Sequence, residues 1–166
     1  MNNYLYLKQA VFSFGDKYTF FDANQNQVFK ARGSVFRIPK RYQLFSVNNP
    51  TAPLITIRRK AFSFMPRYTV LNSDGTVFCT IRQHFKFGGS RFTITTPTNG
   101  EFSIRGSFFA HSFEVLNPQG AVVISMRKHI ISWGDTYEIY FDASCITPEA
   151  AAAVILTIDC AIHSRN

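Results

Sequence analysis

The last segment of the chain constrains the fold most, because residues 150–163, AAAAVILTIDCAIH, carry almost no polar side chain. A helix that is apolar on all sides has to be buried all round. Thr147 can cap its start, Pro148 suits the first turn, and Glu149 is favourable at the positive end of the helix dipole. Its 14 residues span roughly 21 Å, less than a bilayer requires, and Asp159 interrupts them. The segment therefore predicts a helix enclosed by the rest of the protein.

Before this segment, one phrase recurs along the chain. It begins with an aliphatic and a basic residue and ends with a Tyr or Phe that opens a β-rich run, as in IRRKAFSFMPRYTVLN and MRKHIISWGDTYEIYF. Six such units are marked by the aromatics Tyr18, Tyr42, Tyr68, Phe92, Phe113 and Tyr137, which are spaced 24, 26, 24, 21 and 24 residues apart. Units this short are smaller than propeller blades and lack the helices of helical solenoids. We therefore expect two strands in each unit.

Turn residues and alternating side chains support this interpretation. Gly, Asn and Asp tolerate the positive φ of tight turns, and they cluster at residues 72–75, 99–100 and 117–120. Apolar and polar residues alternate in the flanking runs, as in half-buried strands. The predicted buried faces include Val77, Cys79 and Ile81 in one strand, and Val122, Ile124 and Met126 in another.

Six hairpins amount to about twelve antiparallel strands, and so long a sheet avoids exposed edges by closing. Side chains alone fill a barrel of about eight strands, whereas about twelve strands leave room for an occupant. The sequence thus predicts a mainly β protein, a closed antiparallel barrel of about twelve strands in six hairpin repeats around a central hydrophobic C-terminal α-helix. We expect one domain, 1–166, with the barrel at about residues 4–143 and the helix at about 148–163.

The hairpin repeats, the IRRKAFSFMPRYTVLN type of phrase and the terminal AAAVILTIDCAI helix together resemble the LURP-one-related family of the tubby C-terminal-like superfamily. The resemblance covers essentially the whole chain. It implies a twelve-stranded barrel around a central hydrophobic helix. It also implies a binding or tethering role, since tubby-like domains hold phosphoinositide headgroups with basic side chains and phospholipid scramblases look like distant relatives.

The charge of the chain favours an anionic partner. A formal net charge of +8 and a pI near 9.7 attract anionic lipid, nucleic acid or acidic protein. On the predicted strands, Arg58, Lys60, Arg82 and Arg127 face outward. Arg59 and Lys128 have inward parity unless a bulge or the end of the barrel intervenes, and they are candidates for one phosphate-binding notch built by two repeats. A snorkelling role for these two side chains is the alternative.

A second basic cluster comprises Arg37, Lys40 and Arg41, in a connection between two strands. With its neighbouring aromatics this connection could meet a headgroup surface. A solvated loop without a binding function explains the same residues. The candidate anion-binding residues are therefore Arg37, Lys40, Arg41, Arg58, Arg59, Lys60, Arg82, Arg127 and Lys128.

Catalytic and metal-binding patterns are missing from the sequence. The four histidines, His84, His111, His129 and His163, lack metal-ligand or triad spacing, and Cys79, Cys145 and Cys160 lack Cys-x-x-Cys spacing. We expect no enzyme, no cofactor and three free thiols.

The leading hypothesis is a cytoplasmic binding or tethering module, peripheral at an anionic membrane surface that carries phosphoinositide-like headgroups. The amino terminus does not read as a signal peptide, and no transmembrane segment is expected. A protein-interaction scaffold is one alternative. Nucleic-acid binding is a second, because basic and aromatic residues interleave. A carrier of a small apolar ligand conflicts with a helix inside the barrel.

Overall fold

The computed structural model describes residues 3–9, 17–34, 40–86, 89–107, 112–131 and 134–163, and all structural statements concern these ranges. They form twelve strands followed by one helix. The elements are β1 (Tyr4–Gln9), β2 (Lys17–Phe21), β3 (Gln27–Gly33), β4 (Arg41–Ser46), β5 (Asn49–Arg59), β6 (Arg67–Asn72), β7 (Val77–Lys86), β8 (Gly89–Thr96), β9 (Gly100–Ser107), β10 (Ser112–Leu116), β11 (Val122–Ile131), β12 (Gly134–Phe141) and α1 (Pro148–His163).

The strands form a closed antiparallel barrel in chain order, and β12 pairs with β1 to complete it. The predicted closed twelve-stranded barrel is therefore confirmed. Five of the six repeat units are hairpins that begin at an even-numbered strand. The sixth pair joins β12 to β1, because the chain turns into the helix after β12. Closure in this way leaves none of the twelve described strands at a free sheet edge.

The helix α1 fills the barrel, as predicted. Residues 150–161 are all buried, and Ile155 and Leu156 are completely inaccessible. At its start, the Ala150 amide donates a hydrogen bond to the Thr147 hydroxyl (3.4 Å). The buried Asp159 carboxylate accepts a 3.0 Å hydrogen bond from the hydroxyl of Tyr18. This bond ties the polar side chain of the helix to the barrel wall, so that the carboxyl group is not buried without a partner.

The six marker aromatics share one position in the barrel. Each lies near the start of an even-numbered strand, and each is at most 9% exposed. They belong to the same buried cluster as the helix. We call this end of the barrel, where the repeat units are joined, the connection end, and the opposite end, with the hairpin turns, the turn end.

At the turn end the sequence predicted the turns well and two buried positions wrongly. Gly75 and Gly120 adopt φ values of 85° and 83°, as tight turns require. Val77, which was expected on the buried face with Cys79, is 44% exposed. The cause is a β-bulge, because the register between β6 and β7 shifts beside Val77 and Phe78 packs against the core instead. Val122 is likewise only half-buried, because the register between β10 and β11 shifts beside it and Val123 is buried in its place.

Candidate functional site

Basic side chains gather on five neighbouring strands, β4 to β8, and on the residues that adjoin them, towards the connection end. Antiparallel pairing sets Arg41 directly opposite Arg58, and Arg67 directly opposite Arg82. Both are like-charge pairs, which destabilise a sheet when nothing neutralises them. We call this set of side chains the basic wall: Lys40, Arg41, Arg58, Arg59, Lys60, Arg67, Arg82 and Arg91.

Backbone hydrogen bonds carry the basic wall beyond the strand ends. The amide of Arg59 donates to the carbonyl of Lys40 (3.3 Å), and the amide of Lys60 donates to the carbonyl of Arg67 (2.8 Å). The residues that precede β4 and follow β5 are therefore held beside their neighbours. The positive charges are positioned by the sheet itself and not by a freely moving loop.

No carboxylate neutralises the basic wall within its own strands, since β4 to β8 contain no Asp or Glu. The other side of the barrel is built differently. There, Arg105 forms a 2.6 Å salt bridge with Glu114, and Arg127 lies opposite Glu138 in the register of β11 and β12. The same fold therefore pairs opposite charges on one side and like charges on the other.

Two shallow depressions lie on the basic wall. One, of about 400 Å³, is lined by Arg58, Arg59, Lys60 and Arg67. The second, of about 490 Å³, is lined by residues that include Arg82, His84 and Arg91, and one carboxylate, that of Glu101 on β9, also lines it. Thr80 borders both, so the depressions adjoin one another. Guanidinium and hydroxyl groups on such a surface are suited to oxygen atoms of phosphate groups.

The turn end has the opposite charge. Its connecting segments contain no Lys or Arg but hold Asp22, Asp74 and Asp142. Hydrogen bonds within the turns lower the pKa of each carboxyl: mainly from Asn26 to Asp22, from Thr76 to Asp74 and from Ser144 to Asp142. All three carboxylates are therefore ionised at neutral pH. Charge is segregated along the barrel axis as well as around its circumference.

The structure brings together most of the predicted site residues. Lys40, Arg41, Arg58, Arg59, Lys60 and Arg82 all belong to the basic wall. Arg37 lies outside the described residues. Arg127 and Lys128 lie on β11, six strands from β5 in a barrel of twelve, and thus on the opposite side.

Arg59 and Lys128 are therefore on opposite sides of the barrel and do not form the phosphate-binding notch that the sequence suggested. Each does have inward parity, since Arg59 is opposite the buried Tyr68 and Lys128 is opposite the buried Tyr137. Both lie in the parts of their strands that are nearer to the connection end. Arg59 is consequently half-buried and Lys128 is exposed. This location resolves the conflict between their charge and their parity.

Sequence reasoning missed Arg67 and Arg91 as members of the basic wall. Both immediately precede a marker aromatic, as Arg41 does. Because the marker points inward, the residue before it points outward at the connection end. That regularity could have identified both residues from the repeat alone.

The described residues contain no group of three or more His, Cys, Asp and Glu side chains placed to hold a metal ion. None of the three cysteines forms a disulfide, and Cys145 is exposed whereas the other two are buried. Burial raises the pKa of the Cys79 thiol to about 12. Within the same ranges, α1 is too short to cross a membrane, and no other helix is present that could.

A twelve-stranded antiparallel barrel closed around one buried helix is the architecture of tubby-like domains, and it defines the structural class of this protein. The chain belongs to the LURP-one-related family, whose sequence model matches residues 4–159. It is 27% identical over 153 residues to the uncharacterized protein YxjI of Bacillus subtilis (strain 168), covering 91% of this chain and 90% of that protein. Its fold matches the X-ray structure of a protein from Arabidopsis thaliana with a TM-score of 0.62 and 18% identity, over 95% of this chain and 91% of the other.

Proposed function

We propose that this protein is a non-enzymatic module that binds anionic phospholipid headgroups, of phosphoinositide type, through the basic wall. The observation that carries the proposal is the pairing of like charges across strands β4 to β7. A folded sheet gains nothing from placing Arg41 opposite Arg58 and Arg67 opposite Arg82. Each like-charge pair opposes folding, by roughly 0.2–1 kcal/mol on the scale of cross-strand pairs, and a polyanion that lies between them removes this repulsion.

The composition of the basic wall suits phosphate groups in particular. Six of its eight members are arginines, whose planar guanidinium donates two parallel hydrogen bonds to a phosphate. Near an anionic bilayer each Lys or Arg contributes about 1 kcal/mol, so several of them together give reversible, salt-dependent attachment. The family resemblance to lipid-binding tubby-like domains supports the same class of ligand. We place the protein at the cytoplasmic face of a membrane as a peripheral tether.

The proposal is tested with vesicles of phosphatidylcholine alone, with added phosphatidylserine, and with added phosphatidylinositol bisphosphate, each at two salt concentrations. We expect binding to the anionic vesicles that weakens as salt rises. Duplex DNA and RNA serve as parallel probes. Binding to nucleic acid with no binding to anionic vesicles at low salt would overturn the proposal.

A matched pair of charge reversals locates the contact. Lys60→Glu and Lys128→Glu change the net charge of +8 by the same amount, and both side chains are exposed at the connection end. Only Lys60 belongs to the basic wall. Its reversal should weaken binding at low salt by about 2 kcal/mol, more than tenfold. Lys128→Glu should leave binding nearly unchanged, and equal losses in both variants would refute a role for one wall.

A further inference from the structure

The connection between β5 and β6 carries the most exposed apolar side chains of the described residues. Phe62 is 102% exposed and Phe64 is 93% exposed, and Met65 is exposed as well. None of the other described phenylalanines is more than 42% exposed. A single apolar residue on a surface needs no explanation, but two fully exposed rings separated by one residue do. We call residues 61–65 the aromatic loop.

The aromatic loop is held in a defined shape. Phe62 adopts φ 53°, a left-handed conformation that is rare for a bulky residue and recurs at functional sites. The Ser63 hydroxyl donates a hydrogen bond to the carbonyl of Met65. At the base of the loop, the carbonyl of Pro66 accepts a 3.0 Å hydrogen bond from the amide of Gln83 on β7. These contacts restrict the backbone of the loop before it binds, which lowers the entropy cost of binding.

The surroundings of the aromatic loop indicate what it contacts. It emerges from the middle of the basic wall, where Arg58 and Lys60 precede it and Arg67 follows it. The strands around it contain no carboxylate. An apolar tip within a group of cations matches the boundary of an anionic bilayer, where acyl chains receive the rings and headgroup phosphates receive the cations.

We propose that the aromatic loop inserts Phe62 and Phe64 into the acyl boundary of an anionic bilayer, while Arg58, Lys60 and Arg67 contact headgroup phosphates. This inference rests on the proposed function and adds to it an apolar anchor that salt does not screen. Because the loop is short, the barrel itself stays outside the bilayer. The anchor also fixes which side of the barrel faces the membrane.

The first test compares three proteins on vesicles of phosphatidylcholine with phosphatidylserine: the wild type, the double variant Phe62→Ser/Phe64→Ser, and Val77→Ser as control. Val77 is a partly exposed apolar residue at the turn end of β7, the end of the barrel opposite to the aromatic loop. We expect the double variant to bind at least about tenfold more weakly, as follows from withdrawing even part of two Phe side chains from the bilayer. The control should bind as the wild type does. Thermal transitions should show that all three proteins remain folded, since neither ring is buried.

The second test places a reporter in the loop. Phe64→Trp adds an indole to a chain that otherwise contains one Trp, so the wild type supplies the background signal. With anionic vesicles its emission should shift to shorter wavelength, and lipids brominated on the acyl chain should quench it. Binding without any shift or quenching would place the loop outside the acyl region.

The outcomes separate this inference from the function on which it rests. If the double variant binds vesicles as well as the wild type does, and the reporter is not quenched, the membrane anchor is wrong but the proposed function still stands. A wild type that ignores anionic vesicles at low salt overturns the proposed function itself. If the rings instead mediate contact with a second copy of this chain, light scattering detects a dimer that the double variant abolishes. That result also overturns the membrane anchor.

Discussion

Leu156→Ala tests whether the barrel depends on the helix inside it. Leu156 lies in the middle of α1 and is 0% exposed, so the substitution leaves a cavity between the helix and the strands. Buried Leu→Ala changes cost about 2–5 kcal/mol, the value rising with the volume that the surroundings fail to fill. Ala is the better helix former, so helix propensity works slightly against this loss. Against a total stability of about 5–15 kcal/mol, the effect should be large.

Urea denaturation followed by circular dichroism measures the effect, with both midpoint and slope reported. We expect a lower midpoint with an unchanged slope, because the surface exposed on unfolding is nearly the same. Val77→Ala is the control, since Val77 is 44% exposed and its truncation should change the free energy of unfolding by no more than about 0.5 kcal/mol. A loss below about 1 kcal/mol for Leu156→Ala would show that the helix is not enclosed as described.

Three further predictions concern single residues. Gly106→Ala should destabilise the protein by about 1–3 kcal/mol in thermal unfolding, because Gly106 has φ 124° and a Cβ would lie 2.5 Å from the Ser112 carbonyl oxygen; an unchanged transition would contradict this geometry. Phe62→Asn should raise the free energy of unfolding by up to about 1 kcal/mol, because Asn tolerates the left-handed conformation and the exposed Phe ring contributes no buried area. A lower free energy of unfolding would show that the backbone at this position is not strained. In the native protein we expect the exposed thiol of Cys145 to react rapidly with a disulfide reagent. The thiol of Cys79 is buried and has a pKa raised to about 12, so it stays protonated at pH 8 and should react slowly. Rapid labelling of a second thiol would contradict this prediction.

The features that the sequence predicted correctly are those that a local pattern encodes. The buried helix follows from residues 150–163 alone, and the number of strands follows from the spacing of the six marker aromatics. The features that the sequence did not predict depend on how neighbouring strands pair. Val77 lost its buried position to a bulge that involves two strands, which alternation within one strand cannot reveal.

The basic wall could be predicted only in part, for a related reason. Arg59 and Lys128 occupy equivalent places in their repeats, and this equivalence suggested a shared notch. In a closed barrel, however, each repeat advances the chain by two strands, so equivalent residues are spread around the circumference. Neighbours in the site come from adjacent strands, as Arg41 and Arg58 do, and their contact depends on register.

The repeat also explains why the charge lies on one side. A barrel of identical units would carry the same residue before each marker aromatic and would present an even ring at its connection end. The six residues at this position are Lys17, Arg41, Arg67, Arg91, Ser112 and Thr136. The four basic ones stand on β2, β4, β6 and β8, which span one continuous arc, and the two uncharged ones complete the circle on β10 and β12. The difference among the repeats therefore gives this end of the barrel a direction. An anionic bilayer that binds this arc would hold the barrel tilted towards β2 to β8, with the aromatic loop between β5 and β6 inside the contact.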